Sequence, residues 1–323
     1  MAESLLRRLL YGFLLLFTVV ILNFLLLQAA PGDVVDAIVA DTGGASEEVV
    51  ARIRAEYGLD QPVYQQLLSY LQKMLAGDLG YSFHYDRPVL SLIVNHLPAT
   101  IMLSLSAIII AVIVGTLLGT VSALNPKGIV SHIVTVLSLL GYATPVFWLG
   151  MMALILFAYE FPIFPVFGLR SVPAPETLPG QVIDIIYHMI LPSLTLSILF
   201  IASYSRISRA AMLDVMGSDY IRTARAKGLP EWVVVFKHGL KNAGLPIVTI
   251  AGLQLSHAFS GAVLVETIFS LPGIGPLLLE SVTGRDYPVM LGILQGSALM
   301  VIAANIITDM IYRVLDPRIR GTV

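Results

Sequence analysis

The 323-residue sequence is 57% hydrophobic and 12% charged, with a mean hydropathy of +0.85. That is about half the charge of an ordinary soluble domain, so the composition excludes a soluble globular fold and points to an integral membrane protein. With no cysteine, disulfides, thiolate nucleophiles and cysteine-ligated metals are excluded, while the net charge of −2 says nothing about partners because its distribution matters more than its sum.

Charge is absent from six runs, 9–32, 97–126, 133–159, 189–205, 242–265 and 287–308. Each is near or above the roughly 20 residues that cross a bilayer core as a helix. Their continuous apolarity, as in "LSLSAIIIAVIVGTLLG", argues for helices, because barrel strands would alternate. The first run follows Arg7 and Arg8 and ends in "LQAA", which also suits a signal peptide. Its apolar stretch exceeds the usual 7–15 residues, so it is read as a retained first span.

Between the first two spans, Ser46 with Glu47 and Glu48 predicts a helix start, Gly58 a stop and Pro62 the opening of a further helix. Val63, Leu67, Leu71 and Leu75 recur every four residues and predict a stripe lying on the membrane surface or on neighbouring spans. The second span carries Gly115 and Gly119, and the last carries Gly292 and Gly296. Such small-xxx-small spacings let helix backbones approach closely, within this subunit or against another. Pro98, Pro145, Pro192 and Pro246 fall inside or beside spans, where proline permits a kink. "NPKG" at 125–128 is a short turn, and "FPIFPVFGLRSVPAPETLPG" and "LPGIGPLLLESVTGRDYP" read as irregular connections.

Several chemistries are missing. No G-x-x-x-x-G-K-[ST] loop and no H-E-x-x-H spacing occurs, and the histidines at 84, 96, 132, 188, 238 and 257 are scattered. Glu266 and His257 fall in or near the fifth span, where an ionisable group is a candidate for proton or ligand binding. For Glu266, beside "TIFSLPG", a structural anchor is the alternative. For His257, next to Ser256 and Ser260, interhelical bonding is. Asp309 is expected to pair with Arg313 one turn on.

The segment 207–241 is basic and punctuated. Ser218 or Asp219 is expected to cap "DYIRTARAK", Gly228 to take a left-handed stop, and Pro230 to begin "PEWVVVFKHGLKN". This predicts two short helices joined by a Gly-Leu-Pro corner. Arg222 and Arg225 lie three apart with Tyr220 and Ala224 elsewhere on the same helix, which suits a groove on a soluble partner or anionic lipid. Placing the segment in the cytoplasm with both termini leaves thirteen Lys and Arg inside and six outside, in the sense of the positive-inside rule.

"DYIRTARAKGL", "KHGLKNAGLPIVT", "ETIFSLPGIG", "RDYPVMLG" and "LDPRIR", with "APGD", "YGLDQPVYQQLLSYL" and "GDLGYSF" near the start, resemble the dipeptide/oligopeptide/nickel permease family of ATP-binding-cassette importers over nearly the whole chain. The resemblance implies an all-α integral membrane protein of the type I importer permease fold, with six transmembrane helices and both termini cytoplasmic. It divides the chain into an N-terminal span (1–32), a periplasmic helical segment (33–95), a five-helix core (96–315) and a tail (316–323). It implies that the inside loop carries an ATPase-coupling helix formed by Asp219, Tyr220, Ile221, Arg222, Thr223, Ala224, Arg225, Ala226, Lys227 and Gly228. Ala224 and Gly228 match the family motif, whereas Arg222 and Thr223 stand where Glu and Ala occur more generally.

The implied setting is the bacterial inner membrane and its lipids. The implied partners are a second homologous permease, two ATPase subunits holding ATP and Mg, and a periplasmic or lipid-anchored binding protein. This chain then has no cofactor, no metal, no nucleic-acid partner and no catalytic residue. Polar residues of the spans, Ser104, Tyr142, Thr144, Ser193, Gln254, Ser256 and His257, are candidates to line a pathway for di- or oligopeptides or a related solute. The rival reading is a self-sufficient secondary transporter, which would need intramembrane carboxylates, and the spans offer only Glu266 and Asp309 at their ends. A membrane-embedded protease would need an organised nucleophile, and no "GxSxG" occurs.

Overall fold

The computed structural model describes residues 2–29, 60–82 and 84–315, with positions 48, 50, 51 and 54. The expected helix start at Ser46 and Glu47, the stop at Gly58 and the tail 316–323 lie outside the described residues. So do the side chains of Arg7, Arg8, Ser256, His257, Asp309 and Arg313. The chain folds as two compact units, one of residues 1–98 and 273–302, the other of 99–272 and 303–323.

The first unit contains α1 (Ala2–Ala29), α2 (Val63–Leu75), a hairpin of β1 (Tyr81–Ser82) and β2 (Arg87–Pro88), the opening turns of α3 (Val89–Leu124), α10 (Ile274–Thr283) and the first part of α11 (Tyr287–Leu315). Pro62 stands at the N-cap of α2, as its pre-set φ favours. The side chains of α2 that gain cover are Gln66, Leu67, Tyr70, Leu71 and Met74, while Val63 and Leu75 are exposed. A repeat of four drifts by about 40° per turn against 3.6 residues, so the expected stripe winds off the contact face. Tyr70 faces Phe24 of α1, ring centroids 5.8 Å apart, and accepts a hydrogen bond from Gln295 Nε2 of α11.

The connection "LPGIGPLLLESVTGRDYP" is less irregular than expected, since α10 occupies most of it. Ile274 and Leu277 bury against Val89, Leu92, Ile93, Val289 and Ile293. The hairpin is tied to this layer by Ser82, whose hydroxyl bonds the Asp286 carboxylate, and by Tyr85, whose hydroxyl donates to Glu280 Oε2 at 2.6 Å. A Cβ on Gly292 would fall 2.5 Å from Val89 Cγ1, but one on Gly296 meets nothing within 4 Å. Within this chain, the first glycine of that expected pair serves a close approach and the second does not.

The second unit is built on α6 (Leu178–Met216). α3 packs across it through the other glycine pair, as a contact within this chain. A Cβ on Gly115 would lie 2.5 Å from Tyr204 Cβ, and one on Gly119 2.4 Å from the Ser205 carbonyl oxygen. Small hydroxyl side chains fill the remaining gaps, with Ser106 and Ser193 2.6 Å apart. Farther along, Leu103, Ala107, Met189 and Leu196 enclose Val265, Phe269 and Leu271, which belong to α9 (Val263–Ile268) and the turn after it.

The run 133–159 is not one straight span. α4 (Ile129–Ala143) and α5 (Val146–Leu154, continued by π-helical turns over Ile155–Glu160) meet at a 99° bend. Thr144 and Pro145 are both extended there, because proline disfavours helical backbone in the residue before it and supplies no N–H itself. Pro98, Pro192 and Pro246, by contrast, sit inside helices that continue through them. Among the described residues three helices are long and apolar enough to cross a membrane, or four if the bent pair counts as one span. The remaining two apolar runs form α1 and α8 (Lys241–Gly261).

Glu266 is fully buried in α9 and accepts a hydrogen bond from Thr100 Oγ1 at 2.6 Å, while its own carbonyl accepts from Leu271 N at 2.8 Å. It is an anchor that ties the turn after α9 to α3. Replacing it with Ala removes this buried, charge-assisted hydrogen bond, at a cost of about 1–3 kcal/mol. We expect a lower melting temperature in detergent for Glu266→Ala, and a smaller loss for Glu266→Gln, which keeps an acceptor.

Candidate functional site

The polar corner after α6 begins with α7 (Asp219–Ala226). Eight residues make a helix too short to persist alone, so packing must hold it. Ile221 and Ala224, one turn apart and both buried, supply that packing against Val234, Val215 and Met216. The acidic Asp219 opens the helix and Arg225 closes it, matching the helix dipole at each end. Ser218 occupies the N-cap position but its side chain does not cap. Its hydroxyl turns back to donate to the Val215 carbonyl at 2.6 Å, a bond that short hydroxyl side chains readily make instead.

Gly228 adopts φ +72°, the left-handed stop expected of it. Beyond Pro230 the chain departs from the expected second short helix. Glu231 and Trp232 are helical, residues Val233–Leu240 form π-helical turns, and the backbone stays helical through Leu240 and Lys241 into α8. One uninterrupted helix therefore runs from 231 to 261. Its start is seated by Val235 and Ala243 against Met212 of α6 and Ala123 of α3.

With Ile221 and Ala224 turned inward, the other residues of the corner face out: Asp219, Tyr220, Arg222, Thr223, Arg225, Ala226, Lys227 and Gly228. Arg222 pairs with Asp219 at 2.5 Å, with side chains 74% and 91% exposed, and so stays available to a partner. Arg225 is engaged instead. Its guanidinium reaches over the corner to make two hydrogen bonds to Glu231, 2.7 Å to Oε1 and 3.2 Å to Oε2. That hydrogen bonding holds the Glu231 carboxyl below its ordinary value of 4.5 and raises Arg225. Because the folded value is the lowered one, the pair contributes fully above the ordinary glutamate range and is lost only as pH falls through the lowered value. Both side chains are about half exposed, which limits the pair to roughly 0.2–1 kcal/mol.

Sequence reading missed Glu231, and Trp232 beside it, whose side chain is exposed. The available signal was an acidic residue just past a Gly-Leu-Pro corner whose near side ends in arginine.

The described pathway-lining candidates have the following surroundings, the side chains of Ser256 and His257 lying outside the described residues. Ser104 and Ser193 are buried in helix packing, and Thr144 donates to the Leu140 carbonyl at 2.7 Å. Tyr142 is exposed, with the Arg206 guanidinium 5.6 Å from its ring centroid. The Gln254 carbonyl oxygen is buried without a hydrogen-bond partner. Among the described residues no three His, Cys, Asp or Glu side chains come together as a metal site would require.

Among the described residues, long apolar helices are joined by a braced polar corner whose side chains face out. Comparison with known proteins gives the class. Residues 115–321 match the family described as binding-protein-dependent transport system inner membrane component, and residues 1–106 match its N-terminal companion. The chain is 39% identical over 337 aligned residues to the dipeptide transport system permease protein DppB of Escherichia coli K12, covering 99% of both chains. It is 38% identical over 322 residues to the oligopeptide transport system permease protein AppB of Bacillus subtilis 168, again covering 99% of both. It is 37% identical over 318 residues to the di/tripeptide transport system permease protein DppB of Pseudomonas aeruginosa, covering 94% of both. The chain belongs to this family of transport permeases. It is a permease subunit of an ABC importer and a multi-pass protein of the bacterial inner membrane.

Proposed function

We propose that this permease spans the membrane six times with both termini cytoplasmic. In this reading it encloses one half of a pathway for peptides, a second homologous permease enclosing the other, and is driven by ATPase subunits that dock on α7. The observation that carries the reading is the build of α7: two buried residues fix it to α6 and to the helix 231–261, and all its other side chains face out. A helix held that way passes force from a soluble partner into spans. The thirteen-to-six distribution of Lys and Arg supports a cytoplasmic position for the corner, and the names of the relatives support di- or oligopeptides as cargo.

The chain itself performs no covalent chemistry in this account. Two ATPase subunits hold ATP and Mg, a binding protein outside delivers the substrate, and ATP binding the closed ATPase dimer more tightly biases the permease between its states. The test is transport in proteoliposomes. Labelled dipeptide should enter when ATP, the binding protein and all subunits are present, and should not enter through this chain alone. Uptake by the chain alone under a proton or sodium gradient would overturn the reading in favour of a self-sufficient carrier.

A further inference from the structure

Glu231 gains a role if α7 is the surface driven by an ATPase, the reading on which this inference rests. α7 and the helix 231–261 meet at three linking residues, Gly228, Leu229 and Pro230, beyond the final turn at Lys227. Gly228 has φ +72° and no atom within 4 Å of where a Cβ would stand. Its N–H donates to the Arg225 carbonyl at 2.9 Å, but no side chain packs against the point where a Cβ would stand. The apolar seat of Ile221 and Ala224 on Val234 is non-directional and resists separation more than rotation. The two-point bond from Arg225 Nε and Nη2 to the Glu231 carboxylate is directional, since a guanidinium fork and a carboxylate fix each other's plane. It is the one side-chain ion pair that bridges the corner among the described residues.

We propose that Glu231 is a positioning residue for coupling. By gripping Arg225 it sets the angle between α7 and the helix 231–261, so that displacement of α7 by an ATPase turns the span instead of being absorbed at Gly228. The helix it opens has no break before 261, so an angle set at Glu231 is carried into the apolar part of α8. The exposure of the pair fits this role, because its small contribution to stability leaves the corner able to reset within each transport cycle.

The chain contains no cysteine, so two introduced thiols are the only ones it carries. Nitroxides at Ala226→Cys and Lys237→Cys, both exposed, are placed in the complete transporter and their separation is measured by pulsed electron–electron resonance. The same complexes are assayed for peptide taken up per ATP hydrolysed. The expected result is a narrow distance distribution, broadened by Glu231→Gln with a fall of about two- to five-fold in uptake per ATP. The Arg225→Glu, Glu231→Arg double variant should recover both, and ATPase should copurify throughout. Unchanged distances and stoichiometry in Glu231→Gln would overturn the proposal, as would failure of the exchange to recover either. Broadening with recovery, but without copurification of an ATPase in any form including the unmutated chain, would overturn the docking reading on its own and with it the coupling role.

Discussion

Gly119→Ala is expected to destabilise the protein by about 2–3 kcal/mol, although a glycine-to-alanine change inside a helix ordinarily stabilises by roughly 0.5–1 kcal/mol. The sign reverses because the added methyl would stand 2.4 Å from the Ser205 carbonyl oxygen, 2.7 Å from Ser208 Cβ and 2.9 Å from Arg209 N. Two of those atoms are backbone, so no rotamer change relieves the clash. α3 and α6 have to move apart, which opens their contact over several turns at the cost typical of overpacking. Gly244 in α8 and Gly296 in α11 have open space at their Cβ positions. Alanine there should be neutral or mildly stabilising. Melting temperature and the fraction recovered as a monodisperse species in mild detergent measure all three variants. Equal behaviour of Gly119→Ala and Gly244→Ala would contradict the close approach of α3 and α6.

Gly228→Val is expected to reach the membrane at a normal level yet to lose most ATP-driven uptake, by about ten-fold, while ATP hydrolysis continues. No neighbour obstructs a side chain at this position, so the fold is not threatened. The left-handed backbone at φ +72° costs an L-residue roughly 1–2 kcal/mol, and a β-branched one more. A corner that relaxes to negative φ swings α7 on its apolar seat and pulls Arg225 from Glu231. Each 1.4 kcal/mol is a factor of ten in the population of the competent geometry. Asn tolerates the left-handed region better than other non-glycine residues, which predicts the order Gly, Asn, Ala, Val for uptake per ATP. Loss of insertion in Gly228→Val, or undiminished coupling, would contradict this account.

Helices at all six apolar runs were legible because a bilayer-length absence of charge has few other uses. What each proline does was not. Pro145 breaks its run by 99° and Pro192 does not, though both are flanked by apolar residues. Pro192 is buried in the packing of α6, whose helix continues through it, whereas Thr144 and Pro145 are extended. The corner was legible at its punctuation, Gly228 and Pro230, but not in the inward turn of Ala224, which was placed on the surface of the helix. It was not legible in Arg225, read as a contact for a partner and found bonded to Glu231, because a pair six residues apart forms only if the turn between them has one particular geometry. The continuation of the second helix into α8 was hidden as well. Val233–Leu240 is apolar enough for a span and basic enough at Lys237 for a surface, and its π-helical turns carry no sequence signature of their own. The pathway candidates were chosen for polarity alone, which does not separate a pore-facing serine from Ser193, whose hydroxyl bonds Ser106 inside the packing.

The central claim, that an ATPase docks on α7, is tested most directly by a single thiol at Tyr220. This exposed position is not used in holding the helix down, and the absence of native cysteine makes Tyr220→Cys the only thiol in the chain. A short bifunctional crosslinker is applied to membranes containing the whole transporter. The account predicts a covalent product with an ATPase subunit whose yield changes when the nucleotide state is trapped. A transporter that hydrolyses ATP and takes up peptide normally, yet gives no such product from Tyr220→Cys, would contradict it.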